Sequence, residues 1–126
     1  MPEKRIVIIG AGTGGIVLAN ALRQTLDSTH RIVVVERSET HAFPPSFLWM
    51  MVGQRTREDI TRPVRSLLAS GVELVIGEAR EVDPVQRAIR VGSESIAYDI
   101  LVLASGADLS FDSTPGLDRT ETFFTV

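Results

Sequence analysis

Four glycines stand within the six residues from Gly10 to Gly15, between two apolar runs. The run before them, residues 5–9, is β-branched and almost continuously apolar, as expected of a strand covered on both faces of a parallel sheet. The run after them, residues 16–26, fits a helix that is apolar on most sides. Because glycine weakens regular structure, this cluster indicates a tight turn at which something comes close to the backbone.

The spacing of Gly10, Gly12 and Gly15 is G-x-G-x-x-G, and it lies between a predicted strand and a predicted helix. In that context the first glycine allows the tight turn, the second lets a diphosphate approach, and the third lets helix and strand pack closely. The helix start then offers unpaired N–H groups and a partial positive charge to the phosphates. The alternative is a tight turn that binds no ligand.

A second buried strand, residues 31–36, ends on Glu36, which stands 21 residues after Gly15. A carboxylate at this strand end can accept hydrogen bonds from both ribose hydroxyls of an adenosine. Taken alone, Glu36 could be an ordinary solvated side chain. The neighbouring Arg37 could pair with the 2′-phosphate of NADP, but the charge of Glu36 would face the same phosphate and argues against NADP.

The remaining segments predict an α/β domain with a Rossmann-type parallel sheet, flanking helices and a small antiparallel meander. Residues 37–57 are predicted to be a long loop because Pro44 and Pro45 lack N–H donors. A short helix is predicted over residues 63–70, with Gly71 as its C-cap. Further strands are predicted at residues 72–76, in a meander at 78–82, 88–91 and 95–97, and in a return to the central sheet at 99–104.

Composition narrows the class of protein. The 126 residues carry a formal charge of −3, which offers no basic surface for a nucleic acid. The chain has no cysteine, so thiol chemistry within it is excluded. Its length limits it to one domain or part of one, and the absence of a secretory or membrane-spanning segment predicts a cytoplasmic location.

The stretch YDILVLASGAD, residues 98–108, follows the meander in an order that resembles the FAD-binding domain of the pyridine nucleotide-disulfide oxidoreductase superfamily. In that superfamily the corresponding strand ends in a small-residue turn, usually Ala-Thr-Gly, placed against FAD. Here the turn is Ala104-Ser105-Gly106, in which serine keeps the hydroxyl. The resemblance implies FAD as the cofactor. It also implies that the strand around Ala79 contacts the adenine edge.

Residues 41–64, HAFPPSFLWMMVGQRTREDITRPV, are similar to segments of sulfide:quinone oxidoreductases, flavocytochrome c sulfide dehydrogenases and type II NADH dehydrogenases. This similarity places Pro45 and Ser46 near the flavin end of FAD, and Thr13 and Gly14 along the diphosphate. The cofactor-binding residues so predicted are Gly10, Gly12, Thr13, Gly14, Gly15, Glu36, Arg37, Pro45, Ser46, Ala79, Ala104, Ser105 and Gly106.

The resemblance implies that residues 1–126 are the N-terminal part of an incomplete FAD-binding domain in a longer flavin-dependent oxidoreductase. NAD(P)H or sulfide is the implied electron donor and quinone the implied acceptor. A homo-oligomer and a membrane-peripheral location of the longer protein are also predicted. Sulfide-oxidising relatives depend on cysteines that this segment lacks, so the segment alone is predicted to be inactive. No catalytic residue and no metal site is predicted. The alternatives are a noncatalytic nucleotide-binding or interaction module and a free-standing NAD(P)-binding domain.

Overall fold

The computed structural model describes residues 2–108, 110, 113 and 115–116. The strands are β1 (Arg5–Ile9), β2 (Arg31–Glu36), β3 (Thr40–Ala42), β4 (Thr61–Pro63), β5 (Val72–Ile76), β6 (Ala79–Asp83), β7 (Ala88–Val91), β8 (Glu94–Ala97) and β9 (Ile100–Leu103). The helices are α1 (Thr13–Thr25), α2 (Phe47–Met51), α3 (Arg57–Ile60) and α4 (Val64–Leu67), and Pro44–Ser46 forms a single 3-10 turn. None of the helices in the described part of the chain is long and apolar enough to cross a bilayer.

Four parallel strands form the central sheet in the order β5-β2-β1-β9. The register pairs Arg5 with Arg31 on one side of β1, and Ile6 with Ile100 on the other. All four strands therefore end at the same edge, where the glycine turn also lies. The predicted Rossmann-type sheet is confirmed, and the bounds of β1 and β2 are those expected from the sequence.

The two faces of the sheet are covered by different layers. On one face, Ile6, Ile8, Ile32, Val34 and Val72 pack against residues of α1 and α4. On the other face, alternate residues such as Val7, Val33 and Val35 pack against Ile89 and Val91 of β7. The antiparallel sheet β6-β7-β8 therefore takes the place of a second helical layer, and the predicted meander is confirmed.

The segment between β2 and β5 differs from the predicted long loop and helix. Residues 40–42 pair antiparallel with residues 61–63, so Pro63 is a strand residue and not the first residue of a helix. Proline is tolerated there because this two-stranded sheet has open edges. Helix α4 ends at Leu67, and its C-cap is Leu68. Gly71 is instead a turn residue with a φ of +85° before β5.

Asp99 fastens the start of β9 to the start of β1. Its carboxylate accepts a hydrogen bond from the Arg5 backbone N–H at 2.7 Å and one from Lys4 Nζ at 3.3 Å. The backbone N–H bond of Arg5 is the main reason that the pKa of Asp99 lies below its ordinary value, and the Lys4 bond is the second. Asp99 thus supports the strand pairing at the end of the sheet opposite the glycine turn.

This pairing predicts a contribution to stability that depends on pH. Because the native pKa of Asp99 is lowered, the carboxylate stabilises the fold above its unfolded value of 3.8 and loses this effect as the pH falls through the native pKa. We expect the free energy of unfolding of Asp99→Asn to fall less steeply with acid than that of the wild type. Urea unfolding between about pH 5 and pH 2 measures this difference. Parallel curves for the two proteins would contradict it.

Candidate functional site

A cavity of about 710 Å³ lies at the carboxyl ends of the parallel strands. Its wall is formed by the ends of β1 and β2 with the turns that follow them, by β3, and by the turns after β5 and β9. The lining residues are Ile9, Gly10, Ala11, Gly12, Thr13, Val35, Glu36, Arg37, Thr40, His41, Ala42, Pro44, Gly77, Glu78, Ala79, Ser105, Gly106, Ala107 and Asp108.

Two of the glycines are required by the packing of the turn itself. Gly10 has a φ of +104°, and a Cβ built on it would lie 2.3 Å from the carbonyl oxygen of Ala104. A Cβ on Gly15 would lie 1.9 Å from the carbonyl oxygen of Gly10. Both obstacles are backbone atoms, which cannot move aside as a flexible side chain can. Gly10 and Gly15 therefore let β1, α1 and the turn after β9 come together.

Gly12 is different, because no packing among the described residues requires it. A Cβ on Gly12 would meet no described atom within 4 Å, and its φ of −70° is open to any residue. Gly12 is the N-cap of α1, makes no side-chain cap bond, and is followed by a first turn without acidic residues. The first N–H groups of a helix lack partners within the helix. This end of α1 therefore presents an uncrowded, electropositive wall suited to an anion.

Glu36 joins the end of β2 to the glycine turn. Its Oε2 accepts a hydrogen bond from the Ala11 N–H at 2.6 Å, and its Oε1 accepts one from the Ser38 N–H at 3.1 Å. The Gly77 N–H donates to the backbone carbonyl of Glu36 at 2.8 Å. Because each carboxylate oxygen has two acceptor sites, the carboxylate is held in place and can still accept hydrogen bonds inside the cavity.

The cavity lining carries more carboxylates than guanidinium groups. Glu36, Glu78 and Asp108 contribute three carboxylates to its lining, and Arg37 contributes the guanidinium. The Nη2 of Arg37 lies 3.8 Å from Oδ2 of Asp108, and the two side chains are 72% and 86% exposed. This ion pair therefore lies on the solvent side of the cavity.

Eight of the residues predicted from the sequence line this one cavity: Gly10, Gly12, Thr13, Glu36, Arg37, Ala79, Ser105 and Gly106. The other five do not. Gly14 is exposed on the first turn of α1, Gly15 packs against Gly10, and Ala104 lies behind Gly10. Pro44 lines the cavity, whereas Pro45 does not.

Ser46 is buried outside the cavity lining, with 4% of its surface exposed. Its Oγ accepts a hydrogen bond from Arg55 Nη1 at 2.8 Å, and the same guanidinium lies 6.0 Å from the centre of the Trp49 ring. In this structure Ser46 therefore ties the turn before α2 to the turn after it. Its predicted role at the flavin end of a cofactor remains a prediction.

Sequence reasoning missed the contributions of β3 and of the turn after β5. Gly77 and Glu78 directly follow a parallel strand, so the rule that ligands bind at the carboxyl ends of such strands could have found them. Thr40, His41 and Ala42 reach the cavity because β3 pairs with β4. No short-range signal in the sequence announces that pairing, since each strand has only three residues.

The doubly covered parallel sheet, with a glycine turn between β1 and α1, defines this chain as a Rossmann-type α/β domain. The chain belongs to the pyridine nucleotide-disulphide oxidoreductase family, which it matches over residues 4–126. This match confirms the family resemblance drawn from the motifs.

Several relatives place the chain within that family. It is 34% identical over 110 residues to the sulfide-quinone reductase of Aquifex aeolicus, covering 86% of this chain and 25% of the relative. It is 31% identical over 116 residues to the mitochondrial sulfide:quinone oxidoreductase of Mus musculus, covering 89% of this chain and 25% of the relative. An external alternative NAD(P)H-ubiquinone oxidoreductase of Solanum tuberosum is 28% identical over 129 residues, covering 91% and 22%.

The solved structures agree with these sequence relationships. The X-ray structure of the sulfide:quinone oxidoreductase from Aquifex aeolicus superposes with a TM-score of 0.77 at 31% identity. The superposition covers 86% of this chain and 25% of that one. The chain thus spans about a quarter of the length of the relatives that it matches.

Proposed function

We propose that residues 1–126 form the FAD-binding part of a flavin-dependent oxidoreductase of the sulfide:quinone reductase or NADH dehydrogenase type. The observation that carries this proposal is the meeting of Gly12, the start of α1 and Glu36 in one cavity. Family membership and the relatives support the oxidoreductase class. FAD, when bound, supplies the isoalloxazine ring that takes up and passes on electrons.

The residues present fit the adenosine diphosphate half of such a cofactor. The uncrowded space at Gly12 suits a diphosphate, and the N–H groups of Thr13 and Gly14 at the start of α1 would hold its oxygens. The fixed carboxylate of Glu36 would accept the ribose hydroxyls. The backbone of Ala79 would face the adenine edge. Pro45 and Ser46 are proposed to approach the flavin end once the rest of the binding domain is present.

The electron donor and acceptor are proposed for the longer protein. The names of the relatives indicate sulfide or NAD(P)H as donor and quinone as acceptor. Because these 126 residues contain no cysteine, a thiol-dependent oxidation of sulfide requires residues outside them. The segment alone is therefore proposed to bind the cofactor without catalysing turnover. A cytoplasmic or membrane-peripheral location and a homo-oligomer stay predictions.

Flavin binding is the direct test of the proposal. We expect the purified chain, and a longer protein that contains it, to show flavin absorbance and to quench the fluorescence of added FAD. Binding of NAD(P)H without flavin would identify a nicotinamide domain instead. Two other outcomes would contradict the proposal and favour the noncatalytic module. In one, the proteins bind adenine nucleotides but neither FAD nor NAD(P)H. In the other, neither protein binds any nucleotide.

The Glu36→Gln variant tests the adenosine end separately. Replacing the carboxylate by an amide removes the negative charge. It also places an N–H₂ donor against the N–H group of Ala11 or of Ser38, so that one of these hydrogen bonds is lost. Since hydrogen bonds to charged groups contribute about 1.5–3 kcal/mol, we expect FAD affinity to fall about 10- to 100-fold. Fluorescence titration measures the affinity. The control is Glu94→Gln, which changes an exposed carboxylate on β8 outside the cavity lining. Its FAD affinity should equal that of the wild type. Equal affinities for all three proteins would refute the role of Glu36.

A further inference from the structure

The Arg37–Asp108 ion pair connects two turns that are not neighbours in the sheet. Arg37 directly follows β2, and Asp108 follows β9. The sheet order places β1 between these two strands. Since neighbouring strands are about 4.8 Å apart, β2 and β9 are separated by about 10 Å at this edge. The pair therefore joins the turn after β2 to the turn after β9, and the strand between them in the sheet is β1, which ends in the glycine turn.

The Arg37–Asp108 pair also has a definite position relative to the cavity, on its solvent side. Both residues line the cavity, as do Gly10, Ala11 and Gly12. Both side chains are mostly exposed, so they lie on the outer side of the cavity and not within the packed turn. The pair joins two exposed residues, and their charged atoms are 3.8 Å apart.

We propose that the Arg37–Asp108 pair is a strap across the mouth of the cavity that slows release of a bound dinucleotide, with Asp108 as the positioning residue for Arg37. This inference rests on the proposed function. Exposed ion pairs are weak in open solvent. A dinucleotide beneath this pair removes water from one side of it, so the attraction between the two charges is screened less than in the free protein.

A competing arrangement makes the opposite prediction. If Arg37 turned inward to the diphosphate on binding, the negative charge of Asp108 would stay near an anion. Removing that charge would then slow release. In the strap arrangement, Asp108→Asn loosens Arg37 and speeds release. The sign of the effect of Asp108→Asn therefore separates the two arrangements.

The experiment measures dissociation rates for the wild type, Asp108→Asn, Arg37→Gln and the double variant. Each chain is loaded with FAD, diluted into excess ADP, and followed by the recovery of flavin fluorescence. Because the pair is exposed, we expect each single variant to release FAD about threefold faster, and the double variant to release it no faster than the singles. At about 1 M salt, where the Debye length is about 3 Å, the differences should vanish. Unchanged or slower release from Asp108→Asn, or effects that multiply in the double variant, would overturn the strap.

A matched control and a second probe keep this test separate from that of the proposed function. The control is Glu81→Gln, which removes the carboxylate of the exposed Glu81–Arg90 ion pair. This pair lies outside the cavity lining, so the variant should release FAD at the same rate as the wild type. ADP carries the adenosine diphosphate without the flavin, so its dissociation tests the strap even if FAD does not bind. Absence of FAD binding would contradict the proposed function, whereas absence of ADP binding as well would overturn both inferences.

Discussion

The Gly12→Asp variant is expected to fold as the wild type does and to lose at least about 100-fold in affinity for FAD. Aspartate is one of the best N-cap residues, and its Cβ on Gly12 would meet no atom of residues 2–108 within 4 Å. The same side chain would place a negative charge in the space proposed for the diphosphate. Thermal unfolding measures the stability, and fluorescence titration measures the affinity.

The Gly12→Asn variant is the matched control for charge. Asparagine has nearly the same size and N-cap preference as aspartate, but it is neutral. We expect its affinity to lie between those of the wild type and Gly12→Asp, because it fills volume without electrostatic repulsion. Full FAD affinity in Gly12→Asp would mean that the diphosphate lies elsewhere.

The Gly15→Ala variant, unlike Gly12→Asp, is expected to be less stable than the wild type, by about 3 kcal/mol in the free energy of unfolding. Its new Cβ would lie 1.9 Å from the carbonyl oxygen of Gly10 and 3.0 Å from the carbonyl carbon. To relieve this overlap, α1 must move away from β1 and open the contact of Ile16 and Ala19 with the sheet. Chemical denaturation measures the loss, which is a large part of the stability of a typical domain.

Gly14→Ala offers a control one residue away on the same helix. In the described part of the chain its Cβ would meet nothing within 4 Å, and alanine is favoured over glycine in a helix by up to about 1 kcal/mol. We expect the stability of Gly14→Ala to equal or exceed that of the wild type. If Gly15→Ala were as stable as Gly14→Ala, the close approach of α1 to the glycine turn would be refuted.

The central sheet was predictable because its signals are local. Continuous β-branched runs define β1 and β2, and the glycine spacing defines the junction with α1. The same local reading placed Glu36 at a strand end beside the glycine turn, where its carboxylate accepts the Ala11 N–H. The hydrogen bond itself was not predictable, since it depends on how the turn after β1 folds back against β2.

Most of the structure between β2 and β5 was not predictable, because it depends on contacts between segments that are not neighbours in the sequence. Strands β3 and β4 are three residues long and exist only because they pair with each other. A capping box, in which the side chains of Thr56 and Asp59 each bond to the other's backbone N–H, starts α3. That T-x-x-D pattern is visible in the sequence and could have been used. The burial of Ser46 against Arg55 could not, because this contact depends on how α2 and the turn after it fold.

The long separation between β1 and β9 also fixes when this domain can form. Ile6 pairs with Ile100, and the Gly10 turn rests on Ala104, so β1 lacks one of its two neighbours until β9 has left the ribosome. Until then, the first βαβ unit has an open edge that other chains can pair with. Closing so long a loop is slow compared with forming local contacts. The glycine turn after β1 therefore reaches its final packing only once β9 has been added, although it is translated well before β9.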